Sequence, residues 1–132
     1  GLNYGENTIA ALISRGLNEM KLLGTHFGAK EETFNGLSGI GDLTVTAFGN
    51  HSRNRAFGVL IGKGYQINDA FKEIKMHVEG FLATKTVHKI LKNNKINMPI
   101  VSQVYSILFH QKSPEIAISQ LMDRKLKHEM IK

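Results

Sequence analysis

Between Gly36 and Arg55 the chain reads GLSGIGDLTVTAFGNHSRNR, and this stretch holds the residues best suited to chemistry. It supplies a carboxylate at Asp42, hydroxyls at Thr46 and Ser52, an amide at Asn54, and guanidinium groups at Arg53 and Arg55. Asp42 and Thr46 are four positions apart, so on a helix they share a face. Ser52 is a good N-cap. A cap there places Arg53 and Asn54 at a helix N-terminus, whose free backbone N–H groups attract phosphate. Taken singly, each residue has a plainer role: Ser52 as a cap, Arg53 and Arg55 as solvated charge. Clustered, they suit a small polyol phosphate, with the carboxylate and amide for hydroxyls and the arginine fork for phosphate.

Other motifs carry less. The six histidines, His26, His51, His77, His88, His110 and His128, are scattered. None forms the HExxH spacing that sets two ligands on one helix face, so no metal site is expected. Gly58 to Gly64, GVLIGKG, has its first glycine one residue too close for a phosphate loop, and no Ser or Thr follows the lysine. It reads as a helix end with a glycine stop. Gly36, Gly39 and Gly41 do not make GxGxxG, and no strand precedes them, so a dinucleotide fingerprint is excluded.

The elements that must position the polar stretch are helices. Apolar residues at Ile9, Leu12, Ile13, Leu17, Met20 and Phe27 predict a first helix with one buried face, capped at Asn7 or Thr8 and fading near Gly28. Gly16 lies on that face and is expected to admit a close backbone. A short piece, Glu31 to Asn35, is expected to close at Gly36 through a positive φ. Gly39 and Gly41 are read as bracketing a tight approach before Asp42, which opens a helix towards Phe48 and is favoured there by the macrodipole. Further helices are predicted over Arg53 to Lys63, from Asn68 or Asp69 through Phe71 and Ile74, and over a segment burying Ala83, Val87, Ile90 and Leu91. Pro99 and Pro114 suit the first positions of the last two. No stretch alternates as a strand does. The expectation is one all-α bundle, 1–132, of roughly six to eight helices.

A chain of 132 residues with 42% hydrophobic content can bury one core. It has no cysteine, so disulfides and thiolate metal sites are out of reach. No apolar run is long enough for a bilayer span. The start, Gly-Leu-Asn-Tyr-Gly, reads as a connector cut from something longer, and a fragment is expected. The net charge of +6 is uneven: Gly1 to Thr84 holds 8 basic and 8 acidic residues, while Lys85 to Lys132 holds 9 basic and 3 acidic. Lys85, Lys89, Lys92 and Lys95 recur at helical spacing, which favours a solvated face. A basic helical nucleic-acid-binding module and a helical interaction module without chemistry stay as alternatives; the first predicts steeply salt-dependent affinity.

The blocks GENT, AALI, RGL, EM, TF, GLSGIGDL, SRNR, FG, LIGKG, VEG and MPI, in that order from Gly1 to about Lys127, resemble the C-terminal substrate domain of bacterial NAD(P)-dependent glycerol-3-phosphate dehydrogenase. The resemblance implies an all-α domain like the C-terminal domain of 6-phosphogluconate dehydrogenase, here without its Rossmann domain. It implies hydride transfer between NAD(P)H and dihydroxyacetone phosphate to give sn-glycerol 3-phosphate for phospholipid synthesis, in the cytoplasm. The implied substrate-binding residues are Asp42, Thr46, Ser52, Arg53 and Asn54, and the implied cofactor-binding residues are Arg53, His77 and Glu79. No catalytic residue falls within the chain, because the family's lysine acid/base is expected about a dozen residues before Gly1. NAD(P)H is expected to be bound mainly by the N-terminal Rossmann domain, which is also the expected partner. No nucleic acid partner is implied, and Met and aromatic faces left by a missing domain suggest a homodimer. Ile9 departs from the family, which usually has lysine after Asn-Thr.

Overall fold

The computed structural model describes residues 1–124; residues 125–132, which the single-domain reading and the resemblance up to Lys127 include, lie outside it. Every regular element among the described residues is helical. Helix α1 spans Glu6–His26 and leads through a 3-10 turn, Glu31–Asn35, and a π turn, Leu37–Gly41, into α2, Asp42–Phe48. Helices α3 (Arg53–Gly62), α4 (Ile67–Ile74), α5 (Glu79–Asn94), α6 (Pro99–His110) and α7 (Pro114–Met122) complete the bundle.

Four helix ends obey the cap chemistry of their sequence. Ser52 Oγ accepts the Arg55 N–H at 3.2 Å, Ser113 Oγ accepts the Ile116 N–H at 3.4 Å, and both prolines sit in a first turn. α3 stops ahead of Gly64, whose φ of +90° favours glycine. Two starts come earlier than expected. The Gly5 carbonyl accepts the Thr8 and Ile9 N–H groups, so α1 begins at Glu6 with Asn7 and Thr8 inside its first turn. α4 starts at Ile67 rather than at Asn68 or Asp69.

The core gathers Phe57 and Ile61 of α3, Ala70 of α4 and Val78 ahead of α5, with Phe71, Ile74, Phe81 and Leu108 packed against them. Aromatic rings continue it: Phe57 meets Phe71 at 4.8 Å, Phe71 meets Phe81 at 5.0 Å, and Phe81 meets Phe109 at 4.8 Å. At the far end His88 stacks on Tyr105, centroids 3.7 Å apart and planes within 6°. α5 therefore turns Phe81, Thr84, His88 and Leu91 inward, a stripe at helical spacing in which two members are polar. Ala83, expected in the core, is exposed for that reason, while Val87 and Ile90 are half-buried. Thr84 tolerates the site because its hydroxyl donates to the Gly80 carbonyl at 2.6 Å.

Glu19 is the one buried charged residue of the described core. Its carboxylate accepts the Ile100 N–H at 2.7 Å and the Val101 N–H at 3.2 Å, capping α6 from α1. α6 needs this: Met98 gives it no side-chain cap, and Pro99 has no N–H. Burial pushes the Glu19 carboxyl above its ordinary range, against the two backbone bonds and the Arg124 charge, which lower it. Arg15, one turn earlier, donates to the Leu121 carbonyl and ties α1 to α7.

Candidate functional site

The polar stretch is held by the double turn that precedes α2. Gly39 is buried, and a Cβ there would overlap the Phe34 backbone, so only glycine lets the π turn rest on the 3-10 turn. Of the two bracketing glycines, it alone makes the tight approach; at Gly41 a Cβ would meet the Leu37 side chain at an ordinary 3.5 Å. Two other glycine expectations are corrected. Gly36 turns with φ −101°, not a positive φ, because the 3-10 turn passes straight into the π turn. Gly16 has open space before it, and the close approach on α1 falls at Gly24, on which the Phe34 ring lies.

Asp42 and Thr46 both sit on α2 and are exposed. Gly41 is already helical at φ −61° and ψ −55°, so Asp42 continues a helical run and does not meet an open N-terminus. The macrodipole argument for Asp42 is weakened accordingly. Among the described residues Asp42 forms no ion pair, which leaves its carboxylate free on the helix face.

After α2 the chain turns at Gly49, where the Ser52 N–H reaches the Gly49 carbonyl at 3.3 Å and sets His51 at the corner. Arg53 and Asn54 then open α3. Asn54 Oδ1 accepts the Gly80 N–H at 2.9 Å, joining the first turn of α3 to the first turn of α5. That bond carries Glu79, in the same turn of α5, to the polar stretch.

The result is an open cavity of about 200 Å³ lined by Thr46, His51, Ser52, Arg53, Asn54, His77 and Glu79. It brings together every site residue expected from the sequence except Asp42, which lies one turn before Thr46 on α2. It also adds His51, which sequence reading left among the scattered histidines; adjacency to Ser52 was the available signal. Behind Asn54 a larger cleft of about 630 Å³ opens, apolar, with Leu12, Phe57, Ile61, Phe81 and Leu108 in its walls. Chemically the small cavity offers one guanidinium, one carboxylate, two imidazoles and several hydroxyl and amide donors. Such a lining fits a ligand with an anionic end and a hydroxylated end. Lys85, Lys89 and Lys92 project elsewhere, as an exposed row on α5. No described helix is long and apolar enough to cross a membrane.

Comparison with known proteins bears on the family and the fold. A family model described as NAD-dependent glycerol-3-phosphate dehydrogenase C-terminus matches residues 1–119. Among curated relatives, the glycerol-3-phosphate dehydrogenase (NAD(P)+) of Halothermothrix orenii is 50% identical over 132 residues, covering 98% of this chain and 39% of the relative. That of Clostridium botulinum is 47% identical over 130 residues, with the same shares covered. The crystal structure of the Coxiella burnetii glycerol-3-phosphate dehydrogenase superposes with a TM-score of 0.91 at 42% identity, over 93% of this chain and 38% of that one. The chain thus spans about two-fifths of the length of these relatives. With model, relatives and fold in agreement, the chain belongs to the NAD-dependent glycerol-3-phosphate dehydrogenase family, in its C-terminal part.

Proposed function

We propose that this chain is the substrate-binding domain of an enzyme that interconverts dihydroxyacetone phosphate and sn-glycerol 3-phosphate with NAD(P)H, in the cytoplasm, supplying phospholipid synthesis. One observation carries the reading: Thr46, Ser52, Arg53, Asn54, His77 and Glu79, from three separate segments, line a single cavity. Arg53 holds the substrate phosphate. Because the Asn54 carbonyl is engaged by Gly80, its amide NH2 is the part left to meet a substrate oxygen, beside the Ser52 hydroxyl. Reduction of a ketone builds negative charge on oxygen, which an acid must neutralise. Asp42 orients the lysine ammonium that the family resemblance places upstream of Gly1, and Thr46 extends that polar wall.

The nicotinamide cofactor supplies the hydride when bound. The lining suits it, since the Glu79 carboxylate is an acceptor for ribose hydroxyls and Arg53 a partner for phosphate, with His77 between them in sequence terms on the α5 approach. Most of the cofactor's contacts are assigned to an N-terminal Rossmann domain, which is also the partner that completes the site, and the whole enzyme is assigned as a homodimer. Binding energy from the phosphate then aligns C2 of the substrate. The test is oxidation of NADH or NADPH on adding dihydroxyacetone phosphate. The full-length protein is expected to turn over and the 132-residue chain to be inactive. No turnover by the full-length protein, or turnover by the isolated chain, contradicts the reading.

A further inference from the structure

We infer that His51 is a further substrate-binding residue, gripping the phosphate group beside Arg53 as an imidazolium; the inference rests on the substrate reading above. The cavity's own hydrogen bonds lead to it. Ser52 Oγ is engaged by the Arg55 N–H and Asn54 Oδ1 by the Gly80 N–H, so two of the three residues of the Ser-Arg-Asn block spend an acceptor on the fold. A phosphate monoester presents three strongly accepting oxygens and close to two negative charges. The Arg53 fork meets two of those oxygens. The Ser52 hydroxyl and the Asn54 amide NH2 keep their donors for the third, but both are neutral, so the dianion's second charge needs another cation.

The lining is short of positive charge. Among its seven residues Arg53 is the one fixed cation, and the Glu79 carboxylate cancels it. His51 and His77 are the remaining lining groups able to carry positive charge. His77 comes from the α5 approach, next but one to Glu79, on the side assigned to the cofactor. His51 comes from the other side, at the corner of the Gly49–Ser52 turn, two residues before Arg53. Its backbone is fixed by the Ser52 N–H to Gly49 carbonyl bond at 3.3 Å, and its ring is exposed, with no hydrogen bond to the described residues that would hold it away from a ligand. Imidazole is the side chain that changes charge between pH 5 and 8, the range in which a phosphate monoester becomes a dianion. A bound phosphate dianion is the partner that favours a charged imidazole.

The experiment compares full-length enzyme carrying His51→Gln, His51→Ala or Arg53→Ala with the unaltered protein, measuring KM for dihydroxyacetone phosphate and kcat from pH 6 to pH 9. The ratio of variant to unaltered KM cancels the substrate's own titration. For His51→Gln it is expected to be about five- to ten-fold at pH 6, the size of one charge-assisted contact, and to fall towards one by pH 9, with kcat nearly unchanged. A ratio of one throughout, or one that does not fall with pH, overturns the role of His51 if Arg53→Ala still raises KM. If Arg53→Ala also leaves KM unchanged, the substrate reading of the cavity fails and the inference with it.

Discussion

Asn54 Oδ1 accepts the Gly80 backbone N–H at 2.9 Å, so one side chain in the first turn of α3 caps α5. α5 has no side-chain cap of its own, and Val78 at its N-cap position is apolar. The bond places Glu79 and His77 against the Ser52 to Asn54 segment. It also fixes which end of the Asn54 amide faces the cavity.

Gly80→Ala tests this link. A Cβ at Gly80 would lie 2.7 Å from Asn54 Oδ1 and 3.0 Å from its Cγ, so the amide must swing away. The alanine gains about 1 kcal/mol in helix propensity, close to what the lost bond costs. Thermal stability is therefore expected to change little, while KM for dihydroxyacetone phosphate in the full-length enzyme rises several-fold. An unchanged KM would show that the orientation of Asn54 is immaterial to binding.

Glu19 is expected to matter for stability and not for turnover. Glu19→Ala leaves the Ile100 and Val101 N–H groups without a buried acceptor, at a cost of about 2–4 kcal/mol. Glu19→Gln keeps one acceptor oxygen and should lose less. Chemical denaturation of both variants checks the order, and an Ala variant as stable as the unaltered protein would contradict it.

The His88–Tyr105 stack predicts a pH dependence. Burial, with the Lys92 and His110 charges adding to it, holds the His88 imidazole below its ordinary pKa, and its Nδ1 has no partner in the described structure. A group whose pKa is lowered by folding contributes stability that is present above its unfolded value, about 6.5, and is lost as pH falls through the lowered one. His88→Phe keeps the stacking surface and removes the titration. Between pH 7.5 and pH 5 the thermal midpoint of the unaltered protein is expected to fall further than that of the variant; equal falls would contradict the assignment.

Much of this was legible in the sequence because the signals are local. Ser52 and Ser113 as caps, Pro99 and Pro114 in first turns, and Gly64 as a stop each depend on a few neighbouring residues. Thr46, Ser52, Arg53, Asn54, His77 and Glu79 were picked out by the polar stretch and the family resemblance, while their cavity neighbour His51 was not. What escaped was long-range. Nothing near Glu19 signals that it caps a helix 81 residues away, and nothing near Asn54 signals Gly80. The buried stripe of α5 was misread through Ala83 because Thr84 and His88, both polar, occupy inward positions. Gly16 was given a close approach that falls at Gly24, and Gly41 shared one that belongs to Gly39 alone, since the contact that makes a glycine necessary comes from Phe34 in another element.

If Arg53 binds the substrate phosphate, kcat/KM of the Arg53→Ala full-length enzyme must fall. Losing a charge-assisted, two-pronged contact is expected to lower kcat/KM for dihydroxyacetone phosphate by about a hundred-fold, roughly 3 kcal/mol, with the fold intact by circular dichroism. An unchanged kcat/KM in this variant would show that Arg53 does not hold the phosphate.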